Sequence, residues 1–574
     1  MSNSETASTT PSNPDAGTKL WWQDAVVYQL YPRSFADSNG DGIGDFEGIR
    51  GHLDHLRDLG VDAIWLSPCF PSPQADHGYD VADYFDIEPT YGTLDDFDRT
   101  LQAAKERGIR IMLDIVPNHC SSEHAWFQAA LKAGPGSPER ARYWFRDGKG
   151  PNGEEPPNNW RAIFGGPAWT RVTEADGSPG QWYEHTFTPG QPDFNWYNQD
   201  VIDYFDRMLV FWFDRGVEGI RVDAVPVLGK HPDMPDAPPS PPGLTDAQAW
   251  GYNIYGHFYP SAHDVWKHWR ALIDQYEVDH PGRHLVTISE SYGTPEVTRS
   301  FLQGDEFHQN FAFELMLITW QAKPIRDAIA GSLDMLESVG GAPAWTLNNH
   351  DTQRIVTRLG RLNANDPAAW TGNNLVYVDA PIDLDVGRRR ARAAITLTAA
   401  LPGALYLFEG EEMGLEEYLD MPAEAREDPL FIRTDGKELG RDGCRVPLPW
   451  TTDPTTNFGF SPVACRPWLP QPRDWGEHSV EREAADPTSM LAWYRTLLAH
   501  RPLLSGGLKW VELDLPEVLA FERDGVLIIT NVGADAVELP AALVAGRSVI
   551  LATQDDTTTT HLPSDTCAWL SPAH

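Results

Sequence analysis

Gly219-Ile220-Arg221-Val222-Asp223-Ala224-Val225 places an arginine and a carboxylate two residues apart in an otherwise apolar run. Its alternating β-branched residues predict a buried strand, and the two-residue period puts Arg221 and Asp223 on one face. An unpaired buried charge is costly, whereas an adjacent guanidinium lowers a carboxylate's pKa and keeps it ionised. An ionised carboxylate shielded from water is a potential nucleophile. A core ion pair with a purely structural task would look the same, so the surrounding chain has to decide.

On both sides of this run the chain repeats one unit: an amphipathic helix, a glycine, then an apolar strand. Phe46, Ile49, Leu53, Leu56 and Leu59 recur at helical spacing before Gly60 and the strand Val61–Leu66. Leu94, Phe97, Leu101 and Ala104 precede Gly108 and Ile109–Val116, and Val201, Phe205, Met208 and Trp212 precede Gly216 and the Asp223 strand. Alternating helix and apolar strand implies an α/β fold with a parallel, doubly covered sheet. Adding Val26–Tyr31, His284–Ser289, Phe307–Phe313, Ala344–Leu347 and Ala404–Phe408 gives eight strands, the number a (β/α)8 barrel needs.

The spacing between the third and fourth strands exceeds that between the second and third by about 60 residues, which locates an insertion. The expected organisation is a disordered tail over 1–19, a barrel over 20–117 and 191–505, a loop-rich insertion over 118–190 and a C-terminal antiparallel β-sandwich over 506–574. Long loops after the strands, including 228–260, 361–385 and 409–480, crowd one rim.

A net charge of −38 argues against nucleic acid and anionic membranes as partners but leaves a neutral substrate unaffected. No apolar run of 18 residues exists, and Met1–Leu20 lacks the basic and apolar regions of a secretion signal, so a cytoplasmic protein, monomer or homodimer, is expected. The five cysteines form no CxxC pair and read as reduced packing residues, with a Cys444–Cys465 bridge as the open alternative. Twenty-two tryptophans supply aromatic faces that suit sugar rings, although most belong to the core.

Three further strand ends carry ionisable groups: Asp114 to His119, Ile288-Ser289-Glu290 and Leu347-Asn348-Asn349-His350-Asp351. In a barrel of this kind, catalytic residues sit at the C-terminal strand ends. With the Asp223 run, these segments resemble the four signature regions of the α-amylase superfamily, glycoside hydrolase family 13. Gln191-Pro192-Asp193-Phe194-Asn195 is similar to the fifth region, which marks the α-glucosidase and oligo-1,6-glucosidase branch. The resemblance spans roughly residues 20–505.

It implies a retaining glycosidase with Asp223 as nucleophile and Glu290 as general acid/base, a chemistry that needs two carboxyl groups about 5–5.5 Å apart. Arg221 would keep Asp223 charged, while Glu290 must carry a proton at neutral pH. Asp351 would be the third family carboxylate, favouring the distorted sugar ring, and His119 and His350 would bind hydroxyls of that sugar. Asp114 reads as structural, a partner for Arg221. Asp76-His77-Gly78-Tyr79-Asp80 resembles the DxGYD segment of exo-acting members, in which Asp76 and Tyr79 would floor the pocket. Gly440-Arg441-Asp442-Gly443-Cys444-Arg445 resembles their GRDxxR segment, in which Arg441 would bridge to Asp76 and close the pocket around one glucose. The family's usual RTPM continuation is here Arg445-Val446-Pro447-Leu448, which leaves the acceptor side undefined. Phe164 and Phe187 fall where relatives place aromatic walls. Ala224, small beside the nucleophile, implies preference for α-1,4-linked, maltose-like substrates.

Asp37-Ser38-Asn39-Gly40-Asp41-Gly42-Ile43-Gly44-Asp45 alternates oxygen side chains with turn glycines, but Gly48 stands where an EF-hand has its bidentate glutamate. Related α-glucosidases carry a similar loop. By that resemblance Asp37, Asn39, Asp41, Asp45 and the Ile43 carbonyl would hold a structural Ca2+ or Mg2+.

The leading expectation is a retaining exo-α-glucosidase. A transglucosylase or trehalose-synthase-like isomerase would use the same carboxylates, and Asp223-Ala224-Val225-Pro226 also resembles trehalose synthases. A catalytically inert assembly relative would lack the carboxylates and carry a membrane span, the opposite of this chain on both counts.

Overall fold

The computed structural model describes residues 19–244, 251–292, 295–317, 319–337, 341–362 and 380–573. The expected tail falls outside these apart from Lys19, as do parts of the 228–260 and 361–385 loops. Eight parallel strands form one sheet: β1 (Val26–Leu30), β2 (Ala63–Leu66), β3 (Arg110–Ile115), β4 (Gly219–Val222), β5 (Val286–Ser289), β6 (Gln309–Asn310), β7 (Ala344–Thr346) and β8 (Ala404–Phe408). Their order is β7-β8-β1-β2-β3-β4-β5-β6, and a parallel bridge from Phe311 to Ala344 closes the ring. The (β/α)8 barrel expected from the repeats is therefore present.

The strands' two faces divide the work. Outward positions such as Ile64, Leu113, Ile220 and Leu407 are fully buried against the surrounding helices. Inward positions are apolar in the lower layers, with Val27, Trp65, Met112, Val286 and Tyr406 in one cluster. One pleat higher, the same inward face carries Gln29, Asp114 and Arg221, so the polar layer begins where the strands end. The helix Gln199–Arg215 shows how the sequence builds the frame. Asn198 caps its first turn, Gly216 ends it in a left-handed conformation, and Val201, Phe205, Met208 and Trp212 bury one stripe.

Two elements differ from expectation. The helix read through Phe46–Leu59 is two helices, Phe46–Gly51 and Leu53–Leu59, broken at His52. Gly48 and Gly51 weaken the helix there, and the His52 ring bonds the Gly48 carbonyl at 2.8 Å. β6 is only two residues long, because the chain turns at Ala312 into the short helix Phe313–Met316.

Between β3 and β4 a three-stranded antiparallel sheet is formed by Phe145–Arg146, Trp169–Thr173 and Pro179–Glu184. After the barrel come a five-stranded antiparallel sheet and a two-stranded ribbon, Val537–Glu538 with His561–Leu562. Asp565 joins these C-terminal sheets to the barrel by accepting from Trp320 Nε1 at 2.7 Å and from Arg389 and Arg390. All five cysteines are free, so the Cys444–Cys465 alternative is set aside.

Gly219 starts the strand that carries Arg221, and a Cβ there would lie 2.5 Å from Val286 Cγ1 and 3.0 Å from Met112 Cγ. Gly219→Val should therefore overpack the barrel floor and lower stability by about 1–3 kcal/mol, measured by urea denaturation. An unchanged midpoint would contradict that packing.

Candidate active site

Arg221 is the hub of the upper barrel layer. It is 2% exposed, and register sets it between Asp114 on β3 and Ile288 on β5. Its Nη1 donates to Asp114 Oδ1 at 2.8 Å and to Asp223 Oδ1 at 2.7 Å, while Nη2 pairs with Glu290 Oε2 at 2.8 Å. One guanidinium thus spans the ends of three adjacent strands. Immediately after Asp223 the chain passes through left-handed geometry at Ala224 (φ 49°), and the Ala224 N–H donates to Glu290 Oε2 at 3.0 Å.

Arg221 was expected to keep Asp223 charged, and it does act in that direction, but it is not the only influence. Burial pushes Asp223 well above the usual carboxylate range. Arg221 works against that, but Glu290 and Asp114 add to the upward push. A single positive charge shared among three buried carboxylates leaves the group short of compensation. Asp114, pushed up to about 7 by burial, also accepts from Tyr79 Oη and Trp65 Nε1, each at 3.1 Å.

Asp351 lies in a more positive setting. Burial favours its neutral acid, but the charges of Arg441 and Arg445 outweigh that and hold the carboxyl below its usual range. Arg441 Nη1 and Arg445 Nη2 reach Asp351 Oδ1 at 3.2 and 3.0 Å. His350, held neutral by burial and by the nearby arginines, stacks on Tyr79 with rings 5.2 Å apart and 2° from parallel. Its Nε2 meets Tyr79 Oη at 2.5 Å, and its Nδ1 meets Gln29 Nε2 at 2.6 Å.

The far wall is a salt bridge. Arg441 Nη2 donates to Asp76 Oδ1 at 2.8 Å, and its Nε pairs with buried Asp428 at 2.6 Å. Its guanidinium stands 5.2 Å from the centre of the Phe164 ring, and Phe164 and Phe187 lie 5.8 Å apart. His119 packs 4.9 Å from Phe187, and Gln191 Nε2 joins Asp76 Oδ2 at 3.0 Å to His119 Nε2 at 3.2 Å.

A second buried cation holds this wall to the nucleophile's loop. Lys230, seven residues after Asp223, places Nζ 2.6 Å from Asp193, 2.8 Å from Thr186 Oγ1 and 3.2 Å from Glu184. Burial and neighbouring Asp193 push Glu184 up to about 8, while Lys230 holds Asp193 low against its burial. Asn118 Nδ2 adds a 3.0 Å bond to Asp193 Oδ2, joining the end of β3 to the same cluster.

All twelve residues read from the motifs as catalytic or sugar-binding fall within these linked groups. Lys230, Gln191, Asp428 and Arg445 were given no role by sequence reasoning. For Lys230 the signal was available: a lone lysine closing the apolar run Val225–Gly229.

The 37–45 loop is separate. Asp37 accepts the Asn39, Gly40 and Gly42 amides, Asn39 that of Asp41, and Asp41 that of Ile43. Asp45 accepts from Ser38 and caps the next helix at Gly48 N. Among the described residues no three His, Cys, Asp or Glu side chains are grouped closely enough to hold a metal.

Residues 29–504 match the family described as Alpha amylase, catalytic domain. The chain is 33% identical over 558 residues to an oligo-1,6-glucosidase of Parageobacillus thermoglucosidasius, covering 89% of this chain and 90% of that protein. It is 37% identical over 517 residues to a trehalose-6-phosphate hydrolase of Escherichia coli strain K12, covering 84% of each. Among solved structures, an α-glucosyl transfer enzyme matches 96% of this chain and 100% of its own at 33% identity and a TM-score of 0.80. A family match over most of the chain, on a barrel with ionisable groups at four strand ends, means that the chain belongs to the α-amylase family of glycoside hydrolases, in the branch of the α-glucosidases and oligo-1,6-glucosidases.

Proposed function

We propose that this protein is a retaining, exo-acting α-glucosidase that releases α-glucose from the non-reducing end of short, α-1,4-linked glucosides. The observation that carries the reading is the shared guanidinium: Asp223 and Glu290 bond different nitrogens of Arg221, in a network that also contains the Asp76–Arg441 bridge. A wall there leaves room for a terminal sugar and stops a chain from passing through.

In the first step an Asp223 oxygen attacks C1 as the C1–O bond breaks, and the departing oxygen takes the proton from Glu290. In the second, water attacks C1, its proton returns to Glu290, and Asp223 leaves. Two inversions give retention. Asp351, charged by its arginine neighbours, is suited to bind sugar hydroxyls and to favour the oxocarbenium-like ring, with His350 and His119 beside it. Neutral Ala224 leaves space for the leaving sugar and presents only its N–H to Glu290.

Glucosyl transfer or isomerisation is the second reading, favoured by the likeness to an α-glucosyl transfer enzyme. Cytoplasmic action as a monomer or homodimer belongs to the proposal. The five free thiols support the reducing compartment, and no helix among the described residues is long and apolar enough to cross a membrane.

A structural Ca2+ or Mg2+ at Asp37, Asn39, Asp41, the Ile43 carbonyl and Asp45 is likewise proposed. The hard oxygen donors at alternate positions suit such an ion. Because the carboxylates are not grouped in threes, the amide, the carbonyl and water would have to complete the shell.

Time-resolved proton NMR with maltose tests the main reading. The first sugar released from the non-reducing end should be α-glucose; β-glucose would overturn retention, and dominant new disaccharide would favour transfer. Asp223→Asn should lower kcat by about 1,000-fold or more while leaving the fold intact. Because the nucleophile must be ionised and Asp223 is pushed upward, kcat/KM should fall on acidification with a midpoint well above the ordinary carboxylate value of about 4. A midpoint at or below that value would contradict the charge shortage around Arg221. Chelation by EDTA should lower Tm, with recovery on adding Ca2+ or Mg2+. An unchanged Tm would remove the cation.

A further inference from the structure

The short helix Pro32–Phe35 follows β1 directly, and all four of its residues are buried. Two neighbours in it, Arg33 and Ser34, reach different segments of the chain. Arg33 Nη1 donates to Gln74 Oε1 at 3.1 Å and to His77 Nδ1 at 2.8 Å. His77 adjoins Asp76 and sits in left-handed geometry (φ 50°), a conformation uncommon outside glycine. Ser34 Oγ donates to the Arg445 carbonyl, and the Ser34 carbonyl accepts the Leu448 N–H at 2.8 Å. Trp468 ties the two together. Its Nε1 donates to Ser34 Oγ at 3.1 Å, and its ring lies 4.3 Å from the Arg33 guanidinium and 5.2 Å from His77.

The segments held in this way, 74–77 and 441–448, are those that meet in the Asp76–Arg441 bridge, and Arg445 reaches Asp351 at 3.0 Å. Arg33 is 6% exposed, and its two acceptors are neutral, because burial and the surrounding arginines keep His77 uncharged. Burying a guanidinium on neutral partners costs stability, so packing alone is a poor reason for an arginine here. A rigid planar donor that fixes two acceptors of one loop is a better one.

We propose that Arg33 and Ser34 are positioning residues: as one clasp they set where Asp76 and Arg441 stand, and so how firmly the terminal sugar is held. The inference rests on the glucosidase reading above, in which that bridge bounds the terminal sugar. Arg33 acts through Asp76, and Ser34 through Arg441 and Arg445. Contacts to that sugar are made before the bond breaks as well as during it, so loosening them weakens binding more than turnover.

Steady-state kinetics with maltose test the clasp. Arg33→Gln and Ser34→Ala should each raise KM roughly tenfold while kcat changes less than about twofold, and the inhibition constant of glucose should rise with KM. In an Asp76→Ala background, Arg33→Gln should add no further rise, since the group it places is gone. Trp468→Phe keeps the ring beside Arg33 and removes only the N–H to Ser34, so it spares the core if the other variants fail to fold. It should raise KM about threefold. Additive rises in the Asp76→Ala background, a lower kcat at unchanged KM, or an unchanged KM in Trp468→Phe would overturn the clasp and leave the glucosidase reading standing. No turnover of maltose by the wild-type protein would overturn both.

Discussion

The Arg221 guanidinium is the interaction on which the site depends. It sits at the top of the barrel interior, where the apolar layers stop, and it is the one cation in contact with Asp114, Asp223 and Glu290 among the described residues. Three carboxylates beside one arginine is a poor arrangement for stability. A carboxyl whose pKa is raised by folding favours the folded state most while protonated, and that contribution fades as pH rises through its raised value. The surrounding barrel has to carry this cost, and the close packing around Gly219, Met112 and Val286 shows how little slack it has. What the arrangement supplies is two oxygen groups on neighbouring strand ends, held by different nitrogens of one rigid planar group.

The pocket wall obeys the reverse logic. Asp351, Asp76 and Asp428 meet Arg441, and Arg445 adds a second guanidinium, so positive charge is ample and Asp351 stays ionised. Two acidic environments of opposite character thus adjoin in one network. Lys230 is the corresponding fastening for the insertion: it ties Glu184, Thr186 and Asp193 to the loop that follows the nucleophile, and Asp193 ties in Asn118. Because Gln191 and Phe187 lie on the same short stretch, the position of the aromatic wall and of His119 depends on this buried ammonium.

Much of the frame was legible in the chain. Helical spacing followed by glycine and an apolar run marked three of the eight strands and apolar runs alone the other five, because a two-sided buried strand needs continuous apolar residues and a helix C-terminus needs a residue tolerant of left-handed geometry. Boundaries were less legible. The break at His52 comes from two glycines and a side-chain bond, and the shortening of β6 comes from the turn at Ala312 into the helix Phe313–Met316, neither of which periodicity reports.

By itself, the sequence determined which chemical groups stand at the strand ends, since the two-residue period and the motif spacing are local properties of the chain. It also determined the sign of the protein's charge and the family to which the motifs belong. Only the tertiary structure decided how those groups share charge. Asp114 and Arg221 are 107 positions apart, and Asp76 and Arg441 are 365 apart. A pKa depends on burial and on every charge within a few ångströms, so the upward push on Asp223, the downward hold on Asp351 and the upward push on Glu184 exist only once the barrel has closed.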